Sequence, residues 1–212
     1  GQLASGYIIT VIAYYLYQHL LTYGRLSNAD KEAMLRFVRT AQITSYFTTS
    51  LDTKLNYVLE GMSDITDFAS FNDRMAKMDA NKALKVSVDD VEGLLTLQYG
   101  SPAVLPVLQV LYPHLNYKNA VFHIDHIYPK SKFTTRNQSL SQDFLDDKNY
   151  LFNLQLLEGT ENISKKDADP DIWVDEYFDH DPVKIADYKT KNYIDTTCTL
   201  KWDDFGTFME KR

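Results

Sequence analysis

Apolar residues in the first half of the chain recur at three- and four-residue spacing, the period of helices that bury one face. Such runs cover Tyr7–Tyr23, Ala33–Ser45 (Met34, Phe37, Val38 and Ala41) and Leu51–Met62 (Leu51, Leu55, Val58, Leu59 and Met62). Asn28-Ala-Asp30 and Ser50 stand where N-caps of the second and third helices are expected. Ser87 and Asp90 have capping-box spacing and predict a helix over Val91–Tyr99. Gly100-Ser-Pro102 breaks it, and a further helix is expected from Ala103 to Tyr112, before Pro113. No repeat of fixed period and no low-complexity tract is present.

The pattern changes after residue 117. Phe122, Ile124 and Ile127 alternate with ionisable residues, which predicts a short strand ended by Pro129. Residues 130–150 are polar, with a short helix expected around Ser141–Lys148. Asn153-Leu-Gln-Leu-Leu157 predicts a second strand, Gly159 a turn, and Thr160 or Glu161 the start of another helix. The tail holds both tryptophans and predicts a closing helix over Trp202–Arg212 that packs on the body.

Composition narrows the class. With 44% hydrophobic and 13% aromatic residues the chain can build a packed core, which excludes wholesale disorder. The single cysteine, Cys198, excludes an internal disulfide and a Cys-rich zinc site, and fits a cytoplasmic location. Tyr7–Leu21 is apolar but shorter than the roughly 20 residues needed to span a bilayer. It also carries Gln18, His19 and four tyrosines, so it reads as a buried helix without a membrane role. The chain opens at Gly1 straight into this helix and reads as a fragment of a longer protein. The net charge of -7 argues against non-specific coating of nucleic acid. It is unevenly spread: -2 over 1–117, +1 over 118–166 and -6 over 167–212.

The least acidic segment holds the candidate chemistry. Phosphodiester hydrolysis needs a base to activate water, a cation for the developing charge, and groups that hold the phosphate. Asp125 is a hard oxygen ligand suited to Mg2+ or Mn2+, and His126 a neutral imidazole near physiological pH. Asn162 offers an amide oxygen. Lys165, one turn on, is expected to share its helix face and reach the same phosphate. Ideal strand geometry puts Asp125 and His126 on opposite faces, so a shared site requires the chain to leave that geometry around His126.

Phe122-His-Ile-Asp-His-Ile-Tyr-Pro-Lys-Ser131, Asn153-Leu-Gln-Leu-Leu157 and Asn162-Ile-Ser-Lys165 together resemble the HNH, or ββα-metal (His-Me finger), nuclease motif. The resemblance implies that Asp125 and Asn162 are metal ligands and His126 the general base. It further implies that the Asn153 amide ties the loop positioning that base and that Lys165 contacts phosphate. His123, at a variable position, is left a supporting or phosphate-contacting role, as is Lys166. Asn162 replaces the histidine that often closes the motif and keeps an oxygen ligand.

At lower specificity, Ser45–Lys54, Leu95–Tyr112 and Trp202–Arg212 are similar to the helical surroundings of this nuclease in GmrSD-type, modification-dependent restriction enzymes. There a ParB-like NTPase domain precedes the nuclease; its Asp-Gly-Gln-Gln-Arg-type motif is absent from this chain. The resemblance implies a DNA endonuclease or nickase of a bacterial anti-phage system.

The expected fold is α+β and mostly helical: a helical domain over 1–117, the nuclease motif over 118–169, and a tail over 170–212. Simpler readings stand beside the sharp ones. His19 and His114 read as core or surface histidines, and His180 between Asp179 and Asp181 as part of a solvated acidic turn. The alternative function is a non-catalytic helical interaction module with a degenerate finger, binding a partner protein or the missing NTPase domain. RNA is a lesser alternative substrate.

Overall fold

The computed structural model describes residues 5–79, 81–117 and 119–212, without the side chain of Tyr23. The chain divides into two compact units. One is formed by residues up to Leu94 with Leu105–Val107, the other by Leu95–Val104 with Leu108–Arg212. The protein is mostly helical with a small two-stranded sheet, an α+β architecture. No described helix is long and apolar enough to cross a membrane.

The first unit is helical. It contains α1 (Tyr7–Gln18), α2 (Asn28–Ile43), α3 (Leu51–Gly61), α4 (Phe68–Lys77) and α5 (Val88–Leu94). Its core gathers Tyr15, Phe37, Val58, Phe68, Phe71 and Met75. Several local expectations are corrected. The first helix stops at Gln18 instead of running to Tyr23, and Leu20 takes a left-handed φ of 50°. The cap of α2 is Ser27, whose hydroxyl accepts from the Asp30 N–H at 3.0 Å. Ser50 sits at the start of α3 but is left-handed and makes no side-chain cap bond. The periodic runs do not reach α4, which Asp67 caps through the Ser70 N–H at 2.8 Å. Ser87 and Asp90 do make the reciprocal capping bonds, so α5 begins at Val88 and ends at Leu94.

After α6 (Val104–Leu111), the second unit holds β1 (Phe122–His126), β2 (Leu154–Glu158), α7 (Gly159–Lys165), α8 (Pro170–Tyr177), α9 (Pro182–Lys191) and α10 (Phe205–Lys211). β1 and β2 pair antiparallel, with Asp125 opposite Gln155 and His126 opposite Leu154. Four short 3-10 turns cross the polar stretch between the strands, the expected helix near Ser141–Lys148 being two of them. Gly159 opens α7 directly; the Glu161 carboxylate accepts from the Glu158 N–H at 3.0 Å and fixes that start. Trp202–Asp204 forms a 3-10 turn ahead of α10.

The tail shares its core with the sheet segment. Tyr128 packs edge-on against Trp202 and Phe205 and at a tilt against Phe208, at centroid distances of 5.1, 5.0 and 4.9 Å. Offset and edge-on aromatic contacts of this kind add to the gain from area burial alone. Asp169, ahead of α8, accepts from Lys132 Nζ at 2.8 Å and from the Trp202 indole at 2.6 Å. These bonds pin the loop after β1 to the tail.

Candidate active site

Strand, strand and helix bring one end of β1 against the last turn of α7. Lys165, 1% exposed, points back into this contact. Its Nζ lies 2.8 Å from Asp125 Oδ2 and 2.6 Å from the backbone oxygen of His126. Burial pulls its pKa below the ordinary lysine value, and the Asp125 charge opposes that pull. The Trp173 ring of α8 lies 5.9 Å from Nζ. Lys165 is thus buried against Asp125, where the resemblance implied a contact with phosphate; helical spacing alone gives its face but not what covers that face.

Asp125 has a second partner on the same oxygen. Gln155, opposite it and fully buried, donates Nε2 to Oδ2 at 3.0 Å and accepts from the Tyr188 hydroxyl at 2.8 Å. Gln155 escaped the sequence reading, although a glutamine amid three leucines at a strand position facing Asp125 is a signal. Both contacts fall on Oδ2, and a carboxylate has further acceptor capacity on Oδ1.

His126 meets different neighbours, as strand alternation requires. Its Nε2 lies 3.1 Å from Asn149 Oδ1 and its ring against Tyr99. The expected departure from strand geometry does not occur: β1 includes His126, and Ile127 N–H still bonds Asn153 O at 2.8 Å. The two residues are united by Lys165, which touches the carboxylate of one and the carbonyl of the other. Burial holds the His126 imidazole below the usual histidine pKa and so favours the neutral ring, with the Asn149 bond and Asp125 opposing.

Asn153 is fully buried just before β2. Its Oδ1 accepts from Tyr128 N–H at 2.8 Å, and its Nδ2 donates to Tyr128 O at 3.0 Å and Lys148 O at 2.9 Å. The amide therefore continues the ladder where backbone pairing ends, two residues beyond His126. Asn162 lies half-buried one turn before Lys165 on α7. His123 is exposed beside Gly159, and Lys166 is exposed with a left-handed φ of 49° at the end of α7.

His180 bonds Asp175 at 2.6 Å in solvent, while Asp181 caps α9 through Val183 N–H. Among the described residues no three His, Cys, Asp or Glu side chains gather in a way that could hold a metal ion. A ligand set at Asp125 therefore has to include an amide oxygen, such as that of Asn162, or water.

No curated protein matches the chain. The family model for GmrSD restriction endonucleases, C-terminal domain, matches residues 47–207, well over half of the sequence and all of the strand–strand–helix segment. The chain belongs to the family of GmrSD restriction endonuclease C-terminal domains.

Proposed function

We propose that residues 122–165 form the HNH, or ββα-metal, site of a metal-dependent DNA endonuclease or nickase. It would serve as the nuclease part of a modification-dependent restriction system acting on phage DNA. The observation that carries this reading is the strand–strand–helix frame that sets Asp125 and the buried His126 on β1 against α7, inside the segment matched by the restriction-endonuclease family.

The donor set suits a hard divalent ion. Asp125, through Oδ1, and Asn162, through its amide oxygen, would hold Mg2+ or Mn2+, ions that accept few protein ligands and keep several waters. When bound, the ion supplies Lewis-acid stabilisation of charge on the phosphate. The ammonium on Oδ2 already neutralises part of the carboxylate, so affinity in the absence of DNA is low. His126 accepts a proton from the water that attacks phosphorus. Lys165 and Gln155 hold Asp125 in place, and Asn153 holds the peptide that follows the base. His123 and Lys166, both in solvent beside α7, meet the flanking phosphates. The acidic balance of the chain leaves part of the DNA contact to another segment, the ParB-like NTPase domain of such enzymes.

One observation favours the rival reading of a non-catalytic interaction module: a cation already sits on the carboxylate. Supercoiled-plasmid cleavage with Mg2+, Mn2+ or EDTA separates the two. The enzyme reading expects metal-dependent nicking that His126→Ala lowers by roughly 10²–10⁴-fold, the usual contribution of a general base. No cleavage by the wild type with either metal, on modified or unmodified DNA, would leave the interaction module.

A further inference from the structure

The His126 ring is held by Tyr99 and Asn149, both outside every motif segment. Asn149 Oδ1 lies 3.1 Å from its Nε2. The Tyr99 ring packs on it, centroids 4.9 Å apart at 43°, and Lys130 Nζ lies 5.6 Å from the centre of the Tyr99 ring. Tyr99 and Asn149 are also tied to each other. The Tyr99 N–H donates to Asn149 O at 2.7 Å, Leu151 N–H donates to Leu97 O at 2.8 Å, and Gln98 and Tyr150 form an antiparallel bridge. The clamp on the ring is one piece of paired backbone, 97–99 against 149–151.

A neutral imidazole has one donor and one acceptor nitrogen, and an amide oxygen can only accept. Nε2 facing Asn149 Oδ1 must therefore carry the proton, which makes Nδ1 the acceptor. Nδ1 bonds to no described residue, and among the described residues the buried side-chain atoms without a partner are Arg39 Nε and Asn192 Oδ1. Nδ1 is thus left as an acceptor with no protein partner among the described residues.

We propose that Asn149 is a positioning residue for the reaction: its Oδ1 locks His126 in the Nε2–H tautomer and turns Nδ1 towards the attacking water. This rests on His126 being the base. The lock is specific in its chemistry, since a side chain that donates would reverse the tautomer, whereas any acceptor at the same point preserves it.

The test reads the tautomer directly. Long-range 1H–15N correlation spectra at pH 8 distinguish protonated from unprotonated ring nitrogens, and His126→Gln identifies the His126 signals by their loss. Wild type should show a protonated Nε2 and an unprotonated Nδ1. Asn149→Ala should show the two nitrogens averaging between tautomers, and Asn149→Asp, which keeps an acceptor and the same backbone bond, should restore the wild-type pattern. In plasmid nicking, Asn149→Ala should lower kcat about tenfold or more with KM little changed, a partial loss of what a base contributes, and Asn149→Asp should recover most of it. A protonated Nδ1 in the wild type overturns the lock, as does an Asn149→Ala protein with unchanged spectrum and rate. If the spectra follow the expectation and no protein cuts DNA with either metal, the tautomer lock stands and the base role of His126 falls.

Discussion

Lys165 Nζ sits 2.8 Å from Asp125 Oδ2, with the lysine side chain 1% exposed and the aspartate 14%. Removing one partner of a buried pair leaves the other charge uncompensated, at about 3–5 kcal/mol; the partial exposure of Asp125 puts the cost near 3 kcal/mol. Lys165→Met should therefore lower the urea midpoint markedly at unchanged slope. A variant with wild-type stability and weakened DNA binding would mean that the lysine serves the phosphate after all.

The buried His126 sets a pH dependence. Its folded pKa is depressed below the ordinary 6.5, so between the two values the unfolded chain binds more protons. Stability from this residue is fully present above about pH 6.5 and is lost as pH falls through the folded value. Activity of a neutral base has the same sign. The acid limb of kcat/KM should have its midpoint below pH 6.5, and His126→Ala should flatten the corresponding limb of the stability profile. A midpoint above 6.5 would contradict the burial of the ring.

Asn153→Ala would strip partners from the N–H and C=O of Tyr128 and from Lys148 O. Buried groups left unsatisfied cost about 1–3 kcal/mol, so both melting temperature and cleavage rate should drop. Asn153→Asp keeps the acceptor for Tyr128 N–H but sets a buried carboxylate oxygen against two carbonyl oxygens, so it should cost at least as much. Loss of activity at unchanged melting temperature would make Asn153 a participant in the chemistry instead of a tie.

Manganese soaked into crystals should give an anomalous peak beside Asp125 and Asn162, and none at His180, whose imidazole is engaged by Asp175 in solvent. Asp125→Ala should abolish metal-stimulated nicking. Raised manganese should partly rescue Asn162→Ala, which keeps the acidic ligand, and Asp179→Ala should change neither peak nor rate. A peak at His180 alone would move the metal site away from β1.

Arg212 is also structural. The Arg212 guanidinium donates to Phe152 O, to Leu154 O at 2.8 Å, to Asn192 O at 2.9 Å and to Tyr112 Oη at 3.1 Å. It braces the segment that carries Asn153 into β2. Hydrogen bonds from a charged donor contribute about 1.5–3 kcal/mol, so Arg212→Ala should destabilise by roughly 2 kcal/mol and slow cleavage modestly. Equal thermal stability of variant and wild type would show the contacts to be dispensable.

Much of this was legible in the sequence because it depends on local periodicity and on residue chemistry. Alternation over Phe122–Ile127 and Leu154–Leu157, the break at Pro129 and the order of elements around Asn162 gave the two strands and the helix. Asp125, His126, Asn153 and Asn162 stood out by their types and spacing, which also carried the family likeness. The capping pair Ser87 and Asp90 marked a helix start, but not where α5 would stop. Tertiary structure decided the rest. Lys165 is buried because α7 lies over β1 with Trp173 behind it, a fact set by packing across 39 residues of chain. Gln155 and Tyr188 brace Asp125 through bonds between residues 30 and 33 positions apart. Residues 97–99 leave the expected helix to pair with 149–151, trading local helical bonds for cross-chain ones, and so bring Tyr99 and Asn149 onto the His126 ring. Spacing along a chain fixes which side chains share a face; only the folded chain determines what closes over that face, and with it which nitrogen of His126 is free to take a proton.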